Sequence, residues 1–445
     1  MQSEMRTLRW MQAAICAFPV TAALGSHFLP IRVGGVSLFG FRLFVGFMFG
    51  CLVVSGKRLL FDFDSVSKGF FRFGLLWLGW GLCALIWASL IWGLHVDSGF
   101  LEVMAVAFGI LAVLVLLNLV FRTRNGLDSL RLGWVLAFVA SALVASWEFR
   151  TGTHLPGYQE NLDLPTVELR VFSTFGNPNN YSAFLALCFP FLIWSFRSSR
   201  GWHKLPYLFL TLSLPVFAMF TMGRLGMFAL LLECVLLLVL GASHIRRFLI
   251  GLIPIAGLVV ALFVSTAVFP ASLVKILSVS DDLGIADSGG DRLNLLRNGL
   301  VFVEKSYGAG VGPANFEHMM LTGQGPFTTQ GDVDPHNLWI EIASEYGLIV
   351  FLFFVSWLIL VARRTWKARR ASILRGDLES QYAAEAVLLG LLGYIPAAAE
   401  NSSYIVQQTN WAFLASVLTV TCWVCRFCKP SEERASTLLP SSQVL

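Results

Sequence analysis

The chain has 445 residues, 56% of them hydrophobic and only 13% charged, with a mean hydropathy of +0.71. A soluble globular protein of this length carries roughly a quarter charged residues, so the composition specifies a polytopic membrane protein. The net charge of +5 is modest and gives no basis for binding nucleic acid.

Arg6 and Arg9 precede an apolar run from Trp10 to Leu24 with no small-x-small cleavage site after it, which reads as an uncleaved first membrane helix. About twenty apolar residues cross a bilayer. That ruler predicts an all-α integral membrane protein of about twelve transmembrane helices, near 10–28, 36–55, 73–94, 99–121, 132–148, 171–196, 205–222, 224–242, 248–269, 338–362, 383–399 and 404–425. Helices one to nine thus occupy 1–269, with a short polar loop at about 149–170. A long, partly helical loop follows at 270–337, then the last three helices to 425 and a tail at 426–445.

Lys and Arg concentrate in cytoplasmic loops. With the N-terminus inside, most of the 32 basic residues fall in inside segments, from Arg6 through Arg131 and Arg197 to Arg370 and Arg426. Both termini are then cytoplasmic, and the two long polar loops face outward. An enzyme acting there meets no ATP or nucleotide sugar and needs a lipid-carried, activated substrate. The glycine-rich Gly308-Ala309-Gly310-Val311-Gly312 accordingly lacks the Lys-Ser/Thr of a phosphate loop and reads as a turn.

The eight cysteines lie in or beside apolar spans, so no disulfide framework is expected. Cys422, Cys425 and Cys428 have no second ligand pair to complete a zinc site. Aspartates 281, 282, 287, 291, 332 and 334 are scattered, and no outward carboxylate cluster with metal spacing is expected.

In the long loop, 287–291 supplies helix-capping residues, and Leu293, Leu296, Leu300 and Val303 recur at helical spacing. This predicts an amphipathic helix lying on the membrane surface. Arg292 sits in its first turn, where the helix dipole disfavours a cation. The loop ends in Asp334-Pro335-His336-Asn337, where Asp334 is expected to cap the tenth span and His336 and Asn337 to lie in its first turn. Arg224 opens the eighth span, and a charge at the edge of a span marks a functional candidate. Arg170 leads into Thr174-Phe175-Gly176-Asn177-Pro178-Asn179, a polar approach to the sixth span suited to a cavity wall.

Four stretches together resemble the O-antigen ligase and polymerase superfamily of bacterial membrane glycosyltransferases. They are Thr174 to Asn179, Gly223-Arg224, Arg292 with Leu296 followed by Gly310-x-Gly312-x-x-Asn315-Phe316, and His336-Asn337 with Gly347. Their order spans about 170–350, while the first 150 residues match only in being hydrophobic. Val350, three residues beyond Gly347, stands where the family usually has Gly, Thr or Tyr. The resemblance implies a metal-independent, inverting transfer, without cofactor, on the outer face of the cytoplasmic membrane. The donor would be a glycan on undecaprenyl diphosphate and the acceptor a lipid A core sugar, another lipid-linked repeat or a protein. His336 would be the base, Arg224 and Arg292 would bind diphosphate, and Arg170, Asn177, Asn179 and Asn337 would contact substrate. Asp334 or Glu341 could orient the histidine. A lipid-linked oligosaccharide flippase or other transporter is the alternative, in which the arginines hold a diphosphate in passage.

Overall fold

The computed structural model describes residues 2–25, 31–33, 36–56, 59, 64–93, 96–155, 170–241, 288–401 and 403–426. The ninth expected span, near 248–269, and the tail beyond Arg426 lie outside the described residues.

Among the described residues the chain is helical apart from a two-stranded antiparallel hairpin, β1 (Ile31–Val33) with β2 (Val36–Leu38). The helices are α1 (Gln2–Ala23), α2 (Gly40–Val54), α3 (Ser65–Trp92), α4 (Val96–Arg122), α5 (Gly126–Thr151), α6 (Pro178–Ser198), α7 (Lys204–Thr221) and α8 (Arg224–Gly241). After the undescribed stretch come α9 (Ser288–Lys305) and the short α10 (Asn315–Leu321). Then α11 (Leu338–Glu341), a π turn (Ile342–Tyr346) and α12 (Gly347–Arg375) form one run, followed by α13 (Leu378–Ala397) and α14 (Gln408–Arg426). Seven of the described helical segments are long and apolar enough to cross a membrane: α3 to α8 and the run from Leu338 to Arg375. This is an integral membrane protein.

Element boundaries follow local chemistry. Asp64 opens α3 by accepting the N–H groups of Val66 and Ser67, at 3.0 and 2.9 Å, while the Ser67 hydroxyl accepts the Asp64 N–H. The sixth span was expected from about 171 but its helix starts at Pro178. Ser173 and Gly176 take positive φ, and Asn177 caps the helix by accepting the Asn179 N–H at 2.8 Å. The second span begins at Gly40 because the hairpin occupies the residues before it.

The centre of the bundle is α6, with 94% of its apolar window buried, against 33% for α3. It packs on α5, α7, α8 and α13, while α14 lies along α4. One end is locked by buried charge. Glu385 of α13 pairs with Arg197 of α6 and, at 2.8 Å, with Arg369 of α12. Glu379 accepts Trp194 Nε1–H at 2.8 Å and pairs with Arg131 at 3.1 Å. The loops that carry the candidate residues gather at the opposite ends of these helices.

Candidate functional site

The histidine turn differs from expectation in a way that matters for chemistry. Asn337, rather than Asp334, caps α11, its side chain accepting the N–H groups of Trp339 at 3.0 Å and Ile340 at 3.4 Å. His336 therefore lies just outside the helix, in the left-handed region at φ +46°. Asp334 instead accepts the His336 backbone N–H at 3.1 Å, and its other oxygen takes the Ser403 hydroxyl at 3.1 Å. This local bond favours the turn over an earlier helix start.

The carboxylate facing the imidazole is Asp332, at 2.9 Å from Nε2. Neither Asp334 nor Glu341 takes that place. Burial alone would raise the Asp332 carboxyl. The His336 hydrogen bond and charge, the Asp334 backbone N–H and the charge of Arg292 outweigh burial and hold it below the usual range. Glu317 of α10 lies within electrostatic reach of the same turn. Burial and the charges of Asp334 and Asp332 raise its carboxyl, against the pull of His336.

Three expected arginines lie near one another, and one of them, Arg292, acts on Asp332. Arg170 donates Nε–H to the Thr221 carbonyl at 3.3 Å, and Val171 N–H donates to Phe220, which fixes Arg170 at the corner between α7 and α8. Arg224 is the first residue of α8, and Arg292 lies in the first turn of α9. Burial lowers the Arg170 guanidinium from its ordinary value; Glu400 opposes this, and the charges of Arg292 and Arg224 add to it. Glu400, from the loop after α13, accepts the Gly226 and Leu225 N–H groups at 2.8 and 3.4 Å. Burial raises its carboxyl despite those amides and the charges of Arg292 and Arg170. Arg170 and Arg292 thus act on Glu400, and Arg224, next to the amides that bind it, acts on Arg170, a group of guanidiniums suited to a polyanion.

Close backbone approaches make this convergence possible. A Cβ at Gly226 would meet Ser182 Oγ at 2.0 Å, so the start of α8 lies directly on α6. A Cβ at Gly299 would meet Ile340 at 2.2 Å, which brings α9 onto α11 and carries Arg292 to the histidine turn. Asn294 and Asn298 bond the loop at Thr328 and Phe327, at 2.9 and 2.7 Å, and guide it back along α9 toward Asp332. The buried face of α9 is Leu295, Asn298 and Phe302, with Phe302 against Phe316. The expected stripe lies off that face: Leu293 and Leu300 are exposed.

Asn177 and Asn337 are helix caps, and Asn179 lends its backbone N–H to the first of them. The Val171–Gly176 stretch is fastened from α5. Glu148 accepts the Phe172 and Ser173 N–H groups at 2.9 and 2.6 Å, and the Ser141 carbonyl accepts the Ser173 hydroxyl. The glycine-rich turn is a docking element. Val311 and Gly312 donate to the Ser344 and Glu345 carbonyls at 2.7 and 3.0 Å, satisfying groups in the π turn. Sequence reading also missed a carboxylate cluster: oxygens of Glu102, Glu341 and Glu345 lie within 4.8 Å of one another. Glu102 stands far from the other two in sequence, so no local spacing announced it.

Residues 207–355 match a family model described as O-antigen ligase. The match holds Arg224, Arg292 and His336, while Arg170 and Glu400 lie outside it. A search of curated proteins finds no match.

Proposed function

We propose, for a chain whose residues 207–355 form an O-antigen ligase domain, that it transfers a glycan from undecaprenyl diphosphate to an acceptor hydroxyl at the outer face of the cytoplasmic membrane. The observation that supports this reading is that Arg292 acts both on Asp332, the partner of His336, and on Arg170, which Arg224 also reaches.

The acceptor hydroxyl oxygen attacks the anomeric carbon as the bond to the diphosphate oxygen breaks. The hydroxyl proton passes to His336, and the electron pair leaves with undecaprenyl diphosphate. With Nε2–H donated to Asp332, the basic lone pair of a neutral imidazole is on Nδ1. Asp332 orients the ring and stabilises the imidazolium that forms, a contribution of about 10²–10⁴ in rate for a positioned base. The arginines bind the charge that grows on the leaving diphosphate. One displacement inverts the anomeric centre, and these steps call on no metal.

Two features favour transfer over the flippase or transporter reading. The candidate charges gather at one end of the helices, whereas a carrier places them near the midplane. The histidine–aspartate pair also has no task in passive carriage. Purified protein in detergent, given a lipid-linked donor and an acceptor, should form product without a second compartment. Binding of donor without any product would sink the enzyme reading. The twelve-span topology with both termini inside is tested by cysteine labelling from the two sides of the membrane, with residues 288–337 expected to react from outside.

A further inference from the structure

Glu102, near the start of α4, and Glu341 and Glu345, flanking the step from α11 into the π turn, bring three carboxylates to one buried place. An oxygen from each lies within 4.8 Å of the other two. Glu341 and Glu345 are 3% exposed, and Glu102 9%. The hydrogen bonds made by the surroundings satisfy only part of the set. Tyr346 O–H donates to Glu102 at 2.7 Å, and Phe316 N–H donates to Glu345 Oε1 at 3.0 Å. Among the described residues no donor reaches Glu341 Oε2 or Glu345 Oε2, both buried, although Glu102 and Glu345 lie within hydrogen-bonding reach of each other.

Like charges this close and this dry repel strongly unless something positive lies between them. Arg42 lines the adjoining cavity, but one guanidinium cannot offset three carboxylates. That cavity, about 480 Å³, also touches Glu317, Pro335 and Ser403 and has room for water ligands. Hard divalent cations take carboxylate oxygens, and for Ca²⁺ the ion–oxygen distance of about 2.3–2.6 Å puts opposed ligands roughly 4.6–5.2 Å apart. No two of the cluster's oxygens lie farther apart than 4.8 Å, which lets one ion of that size touch all three. Glu102, Glu341 and Glu345 themselves line that cavity, so an ion can reach them and keep water on its open side.

The geometry points to a Ca²⁺ site formed by Glu102, Glu341 and Glu345, tying α4 to the π turn behind the histidine. The ion is structural: it joins elements far apart in sequence and takes no part in the proton transfer assigned to His336. The proposal stands apart from the glycan-transfer reading and survives its failure.

The test uses the full-length chain in detergent, stripped with chelator and titrated with Tb³⁺ as the probe. Tyr346, hydrogen-bonded to Glu102, would sensitise a lanthanide bound there. Sensitised emission should appear, be displaced by Ca²⁺ and less readily by Mg²⁺, and the thermal midpoint should rise with Ca²⁺. Glu102→Gln and Glu345→Gln should each weaken Tb³⁺ binding at least tenfold and remove the Ca²⁺-dependent rise. Wild-type protein that gives neither displaceable emission nor a Ca²⁺-dependent midpoint would mean that the cluster holds protons alone, and would overturn the proposal. Wild-type emission in a variant that remains monodisperse would also overturn it. The wild-type titration decides by itself if a variant fails to fold.

Discussion

At His336 the backbone takes a conformation that a non-glycine residue rarely adopts, at φ +46°, and it is held by Asp334 beneath and Ser403 behind. That turn is what directs the ring to Asp332. The folded Asp332 carboxyl lies below the ordinary range, so its contribution to stability is present above the unfolded value and is lost as pH falls through the folded one. Thermal midpoints measured across acid pH should therefore fall along that limb in the wild type, and Asp332→Asn should flatten it. An unchanged limb would remove Asp332 from this account. Arg292→Lys keeps a charge but loses the planar fork that matches a diphosphate. Donor KM should rise in this variant and more in Arg292→Ala, by roughly ten- to a hundredfold for the loss of a charge-assisted bond. Equal KM values in all three proteins would contradict a donor role. The histidine and all three arginines stood out in the sequence, Arg170, Arg224 and His336 at the mouth of a span and Arg292 in the first turn of a loop helix. Asp332 and Glu400 were not: a left-handed turn chooses the first as partner, and a loop returning from α13 delivers the second.

Among the elements, the π turn and the Gly308–Gly312 loop form a unit. Gly310 has φ +93°, and a Cβ there would meet the Glu345 carbonyl oxygen at 2.4 Å; a Cβ at Gly347 would meet Ala309 at 2.5 Å. Gly310→Ala should cost about 1–3 kcal/mol through strain and overpacking, read as a lower thermal midpoint. An unchanged midpoint would show that the loop yields easily. At the other end of the bundle, Glu385→Ala would leave the guanidiniums of Arg197 and Arg369 buried without their carboxylate. Breaking such a pair costs about 3–5 kcal/mol, and Glu385→Gln should cost less. Wild-type stability in Glu385→Ala would show that water or another group replaces the carboxylate. Seven of the twelve expected spans coincide with described helical segments long and apolar enough to cross a membrane, and hydropathy sufficed to find those. Side-chain spacing could not tell which face of α9 is buried. Apolar residues ring much of that helix, and Gly299 against Ile340 sets the packed face.

For the whole molecule, a nearly buried α6 and a charge-locked end leave the opposite end free to carry chemistry. There α8, α9, the histidine turn and the loop after α13 each contribute one charged group to the same place. The order of the motifs sets where these residues stand along the chain, but their partners come from segments that a linear pattern does not connect. His336, held by Asp332, is the group proposed to remove the acceptor proton. The most direct test is the transfer rate of purified His336→Ala protein, shown to be monodisperse and to bind the lipid-linked donor as the wild type does. The account predicts a fall of at least about a hundredfold, the smaller end of what a positioned base supplies. A transfer rate equal to wild type would contradict it.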